Sequence, residues 1–512
     1  MPRDSPSDGD GPTGAANGST GADDGSADAG DRSPDVAADG GPSNRPSVSG
    51  DVKRFFVGDR DVGASVGAAS LAATQMSAGT LVGTVGIHYA VGVSFLAIWP
   101  GIWLGWLVSM YLVAPQLRAF AGMTVPDFVA DRFDDDGANG ARSRALVATA
   151  IAVVYLVYTA AQYVAGAVVL ESVLGIPRLY GALAIVAVAL AYTSTGGIRA
   201  SIVTDALQMA LMVVALAVAV VVGVHHVGGV GELLDGVRTV DATLLEWGMA
   251  PTRILGFALA FGLGMTVAPY EVSRIYAMRD PDTVTSAIRR SIVLQAFVAG
   301  CIAVLGLVAR VAFPELANPD TAVAELAMSL FGPLAGGLLL LAVLAAVLST
   351  IDSVLLVSSS ALAYDLYAAV FRPTGGFDRL ESVDDVLVAT RAATALAAVV
   401  PLAFVVRPSL LGGLVQLIVA LYAALLAGAL FAPILLGLHW ERTTTVGALA
   451  GVLTGLGAVV TWHVLADATA VLGPVLATVP PVVVGVATST ATVVLASALE
   501  HAAETEPTTV DV

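Results

Sequence analysis

Seven oxygen-bearing side chains, four of them within five residues, interrupt one of the most apolar stretches of the chain. Ser349, Thr350, Asp352 and Ser353 lie within LAVLAAVLSTIDSVLLVSSSAL, residues 341–362. An acid in hydrocarbon costs about 2.5–3.5 kcal/mol on insertion scales, so its presence asks for a reason. On a helical wheel Ala346, Ser349, Thr350 and Ser353 share one face, about 100° wide, that is small and polar. Asp352 falls on its flank, about 110° from the middle of the Ser349–Thr350 pair. The hydroxyls and the acid therefore serve different partners. Hydroxyl oxygens suit a small hard cation. Carbonyl oxygens freed where a neighbouring helix unwinds would complete its shell. Plain helix packing uses the same residue types, and Asp352 also suits a structural pair with a neighbouring polar group. Both readings stand on these residues alone.

The elements that must position this face are membrane helices. The chain has 512 residues, 56% hydrophobic and 13% charged, with a mean hydropathy of +0.82. A soluble chain carries about 25% charged residues. Twelve apolar segments are legible, at 63–88, 90–114, 145–170, 179–195, 200–224, 254–272, 291–313, 333–366, 387–406, 411–438, 444–465 and 475–499. Most are long enough to span a bilayer. The fold class is thus an all-α membrane protein of about twelve transmembrane helices. Residues 1–50 hold nine Asp, three Arg and almost no large apolar residue, and read as a disordered acidic tail. They lack the apolar run of a signal peptide. A short polar tail, 501–512, closes the chain and leaves no room there for a signalling domain.

Composition excludes several functions. The single cysteine, Cys301, rules out an internal disulfide and thiolate metal sites. No basic patch points to nucleic acid. No nucleotide loop, transition-metal cluster or hydrolase motif indicates an enzyme. The net charge of −17, with 23 Arg and one Lys, fits the acidic surfaces of a halophile, ahead of the alternative of a GC-rich genome. With residues 1–50 placed in the cytoplasm, sixteen Lys and Arg fall on the inner side and five on the outer side, which puts both termini inside.

Two segments differ from the rest. The first reads SLAATQMSAGTLVGTVG, small and polar at mid-depth. The sixth reads AFGLGMTVAPYEVSR, with Gly262, Gly264 and Pro269 at mid-depth. Glycine loosens a helix and proline removes a donor. Both segments are candidates for a break, and they stand five segments apart. Paired interrupted helices in two halves point to an inverted-repeat transporter with its binding site at the breaks.

Five stretches, in order, resemble the sodium:solute symporter family from about residue 52 to 440: DVKRFFVGDRDVG, SLAATQMSAGTLVG, TSTGGIRASIVTDALQMALM, APYEVSRIYAMRD and AAVLSTIDSVLLVSSSALAYDLY. The resemblance implies a LeuT-like five-plus-five core over residues 51–440, with repeats at 63–224 and 254–438, and two added helices in 441–500. It implies sodium as the coupling ion, held by carbonyls of Ala73, Met76 and Ala346 and hydroxyls of Ser349 and Thr350. Asp205 matches an acid on the family's inward sodium path. Gln75, Thr80, Gln162, Tyr270 and Glu271 are the polar groups nearest the expected cavity and the candidates for solute contact. The family's usual lead helix is absent before the entry motif. Proline carriers have an acid at Gln75 and aromatics at Gly79, Phe261 and Met265, and sugar carriers have Glu-Gln at Gly79 and Thr80, so residue matches single out neither. The function implied is sodium-coupled uptake of a small organic solute, an amino acid or carboxylate ahead of a sugar. A transporter-like membrane sensor, or a passive uniporter or channel, are the alternatives.

Overall fold

The computed structural model describes residues 54, 57–77, 79–120, 124–133, 138–366, 383–411, 413–468 and 478–505. The tail expected to be disordered lies outside them. Among the described residues the chain is helical, with one isolated backbone bridge between Val62 and Met278.

The first expected segment is broken. Helix α1, Ala64–Gln75, stops at Met76, whose ψ of 55° leaves the helical region. A π-helical turn, Gly79–Thr84, restarts the chain and leads into α2, Val85–Val91. Ser77 repairs part of the backbone opened there. Its carbonyl accepts from the Thr80 and Leu81 N–H groups at 3.0 Å, and its Oγ accepts from Gly79 N–H at 3.1 Å. Such repair is what makes irregular backbone tolerable at membrane depth. Gly92 ends α2 with φ +65°, and a Cβ there would meet Leu244 O at 1.9 Å, so only glycine fits. Helix α3, Trp99–Val108, follows. A π-helical turn, Ser109–Val113, and a short helix, Ala114–Phe120, continue it; α4, Val125–Arg132, opens on a capping box formed by Thr124 and Asp127.

Helix α5 covers Ala138–Leu174, and α6 runs without interruption over Arg178–His226, through both the fourth and fifth expected segments. The sixth segment is broken as its sequence predicts. Helix α7, Pro251–Thr266, ends at Val267 and Ala268, and α8, Pro269–Ala277, restarts with Pro269 in the first turn. Proline loses nothing there, because that N–H has no helical partner. Helix α9 covers Pro281–Ala312. Helix α10, Ala322–Ser359, is kinked at Gly332, where φ is 72° just before Pro333, and passes into a π-helical turn, Ser360–Leu366. Helices α11 (Val383–Val399), α12 (Val415–Leu426), α13 (Thr445–Ala468) and α14 (Pro481–Thr505) complete the order.

Among the described residues nine helical stretches are long and apolar enough to cross a membrane, and Arg178–Ala191 and Thr390–Val405 are shorter apolar helices. The count of twelve is not reproduced segment for segment, partly because the fourth and fifth expected segments form one helix, Arg178–His226. The broken helices lie at the centre: α1 packs on α6, α9 and α10, and α7 packs on α3 and α12. Bonds from Val62 N–H to Ala277 O (3.3 Å) and from Arg279 N–H to Val62 O (3.2 Å) join the start of α1 to the end of α8.

Candidate functional site

The hydroxyl face of α10 points inward. Ala346, Ser349, Thr350 and Ser353 are all buried, as are Ala73 and Met76 at the end of α1, and α1 and α10 are in direct contact. Ser349 Oγ donates to Ala346 O at 2.9 Å, and Thr350 Oγ1 lies 3.3 Å from the same carbonyl. Serine and threonine commonly bond back in this way within helices. Here it turns both hydroxyl protons onto one carbonyl and leaves both oxygens able to accept. The Ala73 carbonyl accepts from Met76 N–H at 3.0 Å. The donor set of hydroxyl and carbonyl oxygens therefore fits a small hard cation, with Ala346 and Ala73 sharing their carbonyls between such an ion and the helix.

A second group forms where the two breaks meet. Gln75 Nε2 lies 2.5 Å from Glu271 Oε1, 3.1 Å from Met265 Sδ and 3.4 Å from the Tyr270 hydroxyl. Beside a carboxylate oxygen at that distance the amide must present its NH2. Thr74 Oγ1 approaches the same Glu271 oxygen at 3.2 Å. Thr80 Oγ1 donates to Gln75 O at 2.5 Å. Gln75 and Thr80 line a small cavity between the breaks. Tyr270 and Glu271 stand behind Gln75, outside the lining, and Gln162, fully buried on α5, does not reach it either.

The lining also uses residues that sequence reasoning did not select: Ser77, Thr84, Trp99, Tyr158 and Gln416. Thr84 and Gln416 are 3.1 Å apart, a contact between residues 332 positions distant in the chain. Tyr158 belongs to a buried cluster of rings. It stacks on Tyr422 with centroids 4.0 Å apart and on Tyr270 at 5.9 Å. Tyr155 adds its hydroxyl as acceptor for the Tyr270 N–H at 3.0 Å, which satisfies a donor in the first turn of α8. A signal existed: Tyr155, Tyr158 and Gln162 recur at helical spacing in an apolar segment.

Asp205 does not stand alone. Its Oδ2 accepts from Ser70 Oγ at 2.8 Å and from the Arg274 guanidinium at 3.0 Å. Arg274, on α8, is fully buried. It also donates to Tyr270 O (3.0 Å), Ser273 Oγ (3.2 Å), Ser201 Oγ (3.1 Å) and Ser353 Oγ. One side chain thus ties α8 to α6 and α10, while Asp205 reaches α1 through Ser70. The sequence reading had counted Arg274 and Arg144 as cytoplasmic loop charges, and both are buried instead. Without these two, the expected inner side keeps fourteen Lys and Arg against five on the expected outer side. Asp352 is buried next to Ser353, off the hydroxyl face.

Two broken helices, a cavity between the breaks and a hydroxyl-bearing helix beside them define a multi-pass membrane transporter of the LeuT-like type. The sodium:solute symporter family model matches residues 55–455, and the chain belongs to that family. It is 32% identical over 421 residues to the high-affinity proline transporter PutP of Bacillus subtilis, covering 80% of this chain and 86% of the relative. It is 31% identical to the osmoregulated proline transporter OpuE of the same organism, over 80% and 83% of the two chains. Among solved structures it is similar to a substrate-bound, outward-open Na+-coupled sialic acid symporter, with a TM-score of 0.69, 18% identity, and 88% and 92% of the chains covered. A nucleobase-cation-symport-1 family transporter, Mhp1, in a closed conformation matches with a TM-score of 0.52 at 17% identity, over 91% and 96%. At these identities the structures speak for the fold alone.

Proposed function

We propose that this symporter carries a small zwitterionic amino acid into the cell together with sodium, in the cytoplasmic membrane and with both termini inside. The sodium seat is Ala73, Met76, Ala346, Ser349 and Thr350. Gln75 and Thr80 face the solute, Tyr270 and Glu271 act behind Gln75, Gln162 supports the helix that carries Tyr158, and Asp205 lies on the ion's inward route, anchored to Arg274.

The observation that carries the solute class is the fixed amide of Gln75. Glu271 holds its NH2 end, so its carbonyl end is the one left for the cavity, where it accepts from an ammonium group. Among the described lining residues none is charged, so the bound solute carries no net charge. Ile98, Ile102, Phe261 and Val419 give the cavity an apolar wall suited to an aliphatic body. The proline transporters among the relatives make L-proline the first solute to test. One charge moving through about 100 mV releases about 2.3 kcal/mol. That supports roughly 40-fold accumulation, at about 1.4 kcal/mol per tenfold.

Purified protein in proteoliposomes should take up labelled L-proline when sodium is outside and not when potassium replaces it. Uptake indifferent to sodium would refute the reading, as would sodium-driven uptake of a sugar that no amino acid competes with. Glu271→Gln frees the Gln75 amide to rotate. The solute concentration for half-maximal uptake should rise about tenfold, the size of one lost charged hydrogen bond, with the sodium requirement nearly unchanged. An equal loss in both would move Glu271 into the sodium seat.

A further inference from the structure

We infer that Asp365 and Tyr276 form a second cation site, distinct from the Ser349–Thr350 seat, which receives the coupling ion on its way to the cytoplasm. The inference rests on the sodium-coupled reading above and extends it to a place in the fold that this reading does not use.

A small chamber lies between α4, α5, α8 and the π-helical turn that follows α10. Thr124, Ser273, Tyr276, Ser360 and Asp365 give it polar walls. Asp365 is fully buried. Its Oδ1 accepts from Thr124 Oγ1 at 3.0 Å. Its Oδ2 has no hydrogen-bond partner among the described residues, and neither has the buried Tyr276 hydroxyl. Two unsatisfied oxygens on one chamber are uncommon, because a buried polar group left unpaired is costly.

Charge makes the same demand. Asp127, Asp365 and Arg144 are all buried here. Arg144 grips Asp127 directly, but its nearest approach to Asp365 is 3.8 Å, beyond hydrogen-bond reach. Two carboxylates therefore share one guanidinium, and Asp365, with one oxygen left unpaired, lines the chamber. A carboxylate, a phenol and serine and threonine hydroxyls are hard oxygen ligands, suited to a monovalent cation with water completing its shell. Among the described residues no group of three acids, histidines or cysteines is set for a metal ion, so a weakly held alkali cation is the chemistry that remains.

Position gives the site its part in transport. Asp365 follows Thr350 by fifteen residues on the same helical run, about 22 Å further along it. That direction leads toward the side on which the arginine excess places the cytoplasm. The chamber is walled by α8, the half-helix that carries Ser273 and Tyr276. Movement of α8 would open or close the chamber together with the central break.

Sodium binding to the purified, full-length protein tests this. Wild type should show two classes of site by titration calorimetry. Asp365→Asn should lose one class, and Asp365→Glu should keep it. In proteoliposomes Asp365→Asn should slow net uptake about tenfold, with the external sodium needed for half-maximal rate within about twofold of wild type. A single class in wild type, or two classes in Asp365→Asn, would overturn the proposal. Crystals of wild type with thallium(I) in place of sodium need no substitution: density beside Asp365 supports the site, and density at Ser349–Thr350 alone refutes it. Ser349→Ala/Thr350→Ala, run in parallel, should remove the other class. If it changes nothing, the seat assignment fails while the Asp365 result stands separately.

Discussion

Replacing Arg274 with alanine should abolish uptake and sharply reduce the amount of folded protein. The guanidinium is fully buried and serves Tyr270, Ser273, Ser201, Asp205 and Ser353 at once. Its removal leaves Asp205, itself 1% exposed, as a buried charge bonded to Ser70. Breaking a buried pair from one side costs about 3–5 kcal/mol, whereas removing both charges costs far less. Asp205→Ala/Arg274→Ala should therefore be more stable in detergent than Arg274→Ala alone, by thermal unfolding. Equal unfolding temperatures for the single and double variants would show that the pair is uncoupled. Lysine should rescue poorly, because an ammonium cannot spread over five acceptors as a planar fork does.

The second large effect is on sodium. Ser349→Ala/Thr350→Ala removes two oxygens from one helical face and leaves the backbone of α10 intact. Each lost hydroxyl contact is worth about 1 kcal/mol, so the pair should raise half-maximal sodium about 30-fold. Solute affinity at saturating sodium should change little. Thr350→Ser keeps the oxygen and should stay close to wild type. An unchanged sodium requirement in a folded double variant would return these hydroxyls to plain helix packing.

Much of this arrangement is legible in the sequence, for physical reasons. Pro269 cannot donate a helical hydrogen bond, so the end of α7 is marked by the residue that starts α8. Small residues around Gln75 and Met76 leave nothing large to hold the first segment straight, and α1 ends there. The shared face of the hydroxyl pair is a property of one helix and shows in its periodicity, whereas its reading as a sodium seat comes from the family resemblance. Arg274 is not legible in that way. It sits in SRIYAMRD, a polar stretch that reads as a loop, and its partners Asp205, Ser201 and Ser353 are 69, 73 and 79 positions away. The cavity wall escapes for the same reason, since Gln416 and Tyr158 meet the breaks only through tertiary packing. The helix count blurs where turns are short: Arg178–His226 is one helix where two segments were expected.

The most direct test of the central claim is coupling measured in reverse. Proteoliposomes are prepared with equal labelled sodium on both sides, a clamped membrane potential and L-proline outside only. A symporter must then carry sodium inward against no sodium gradient. Net sodium entry should appear on adding proline and disappear in Ser349→Ala/Thr350→Ala at the same sodium concentration. Proline entry with no accompanying sodium would contradict symport and make the protein a uniporter on a symporter fold.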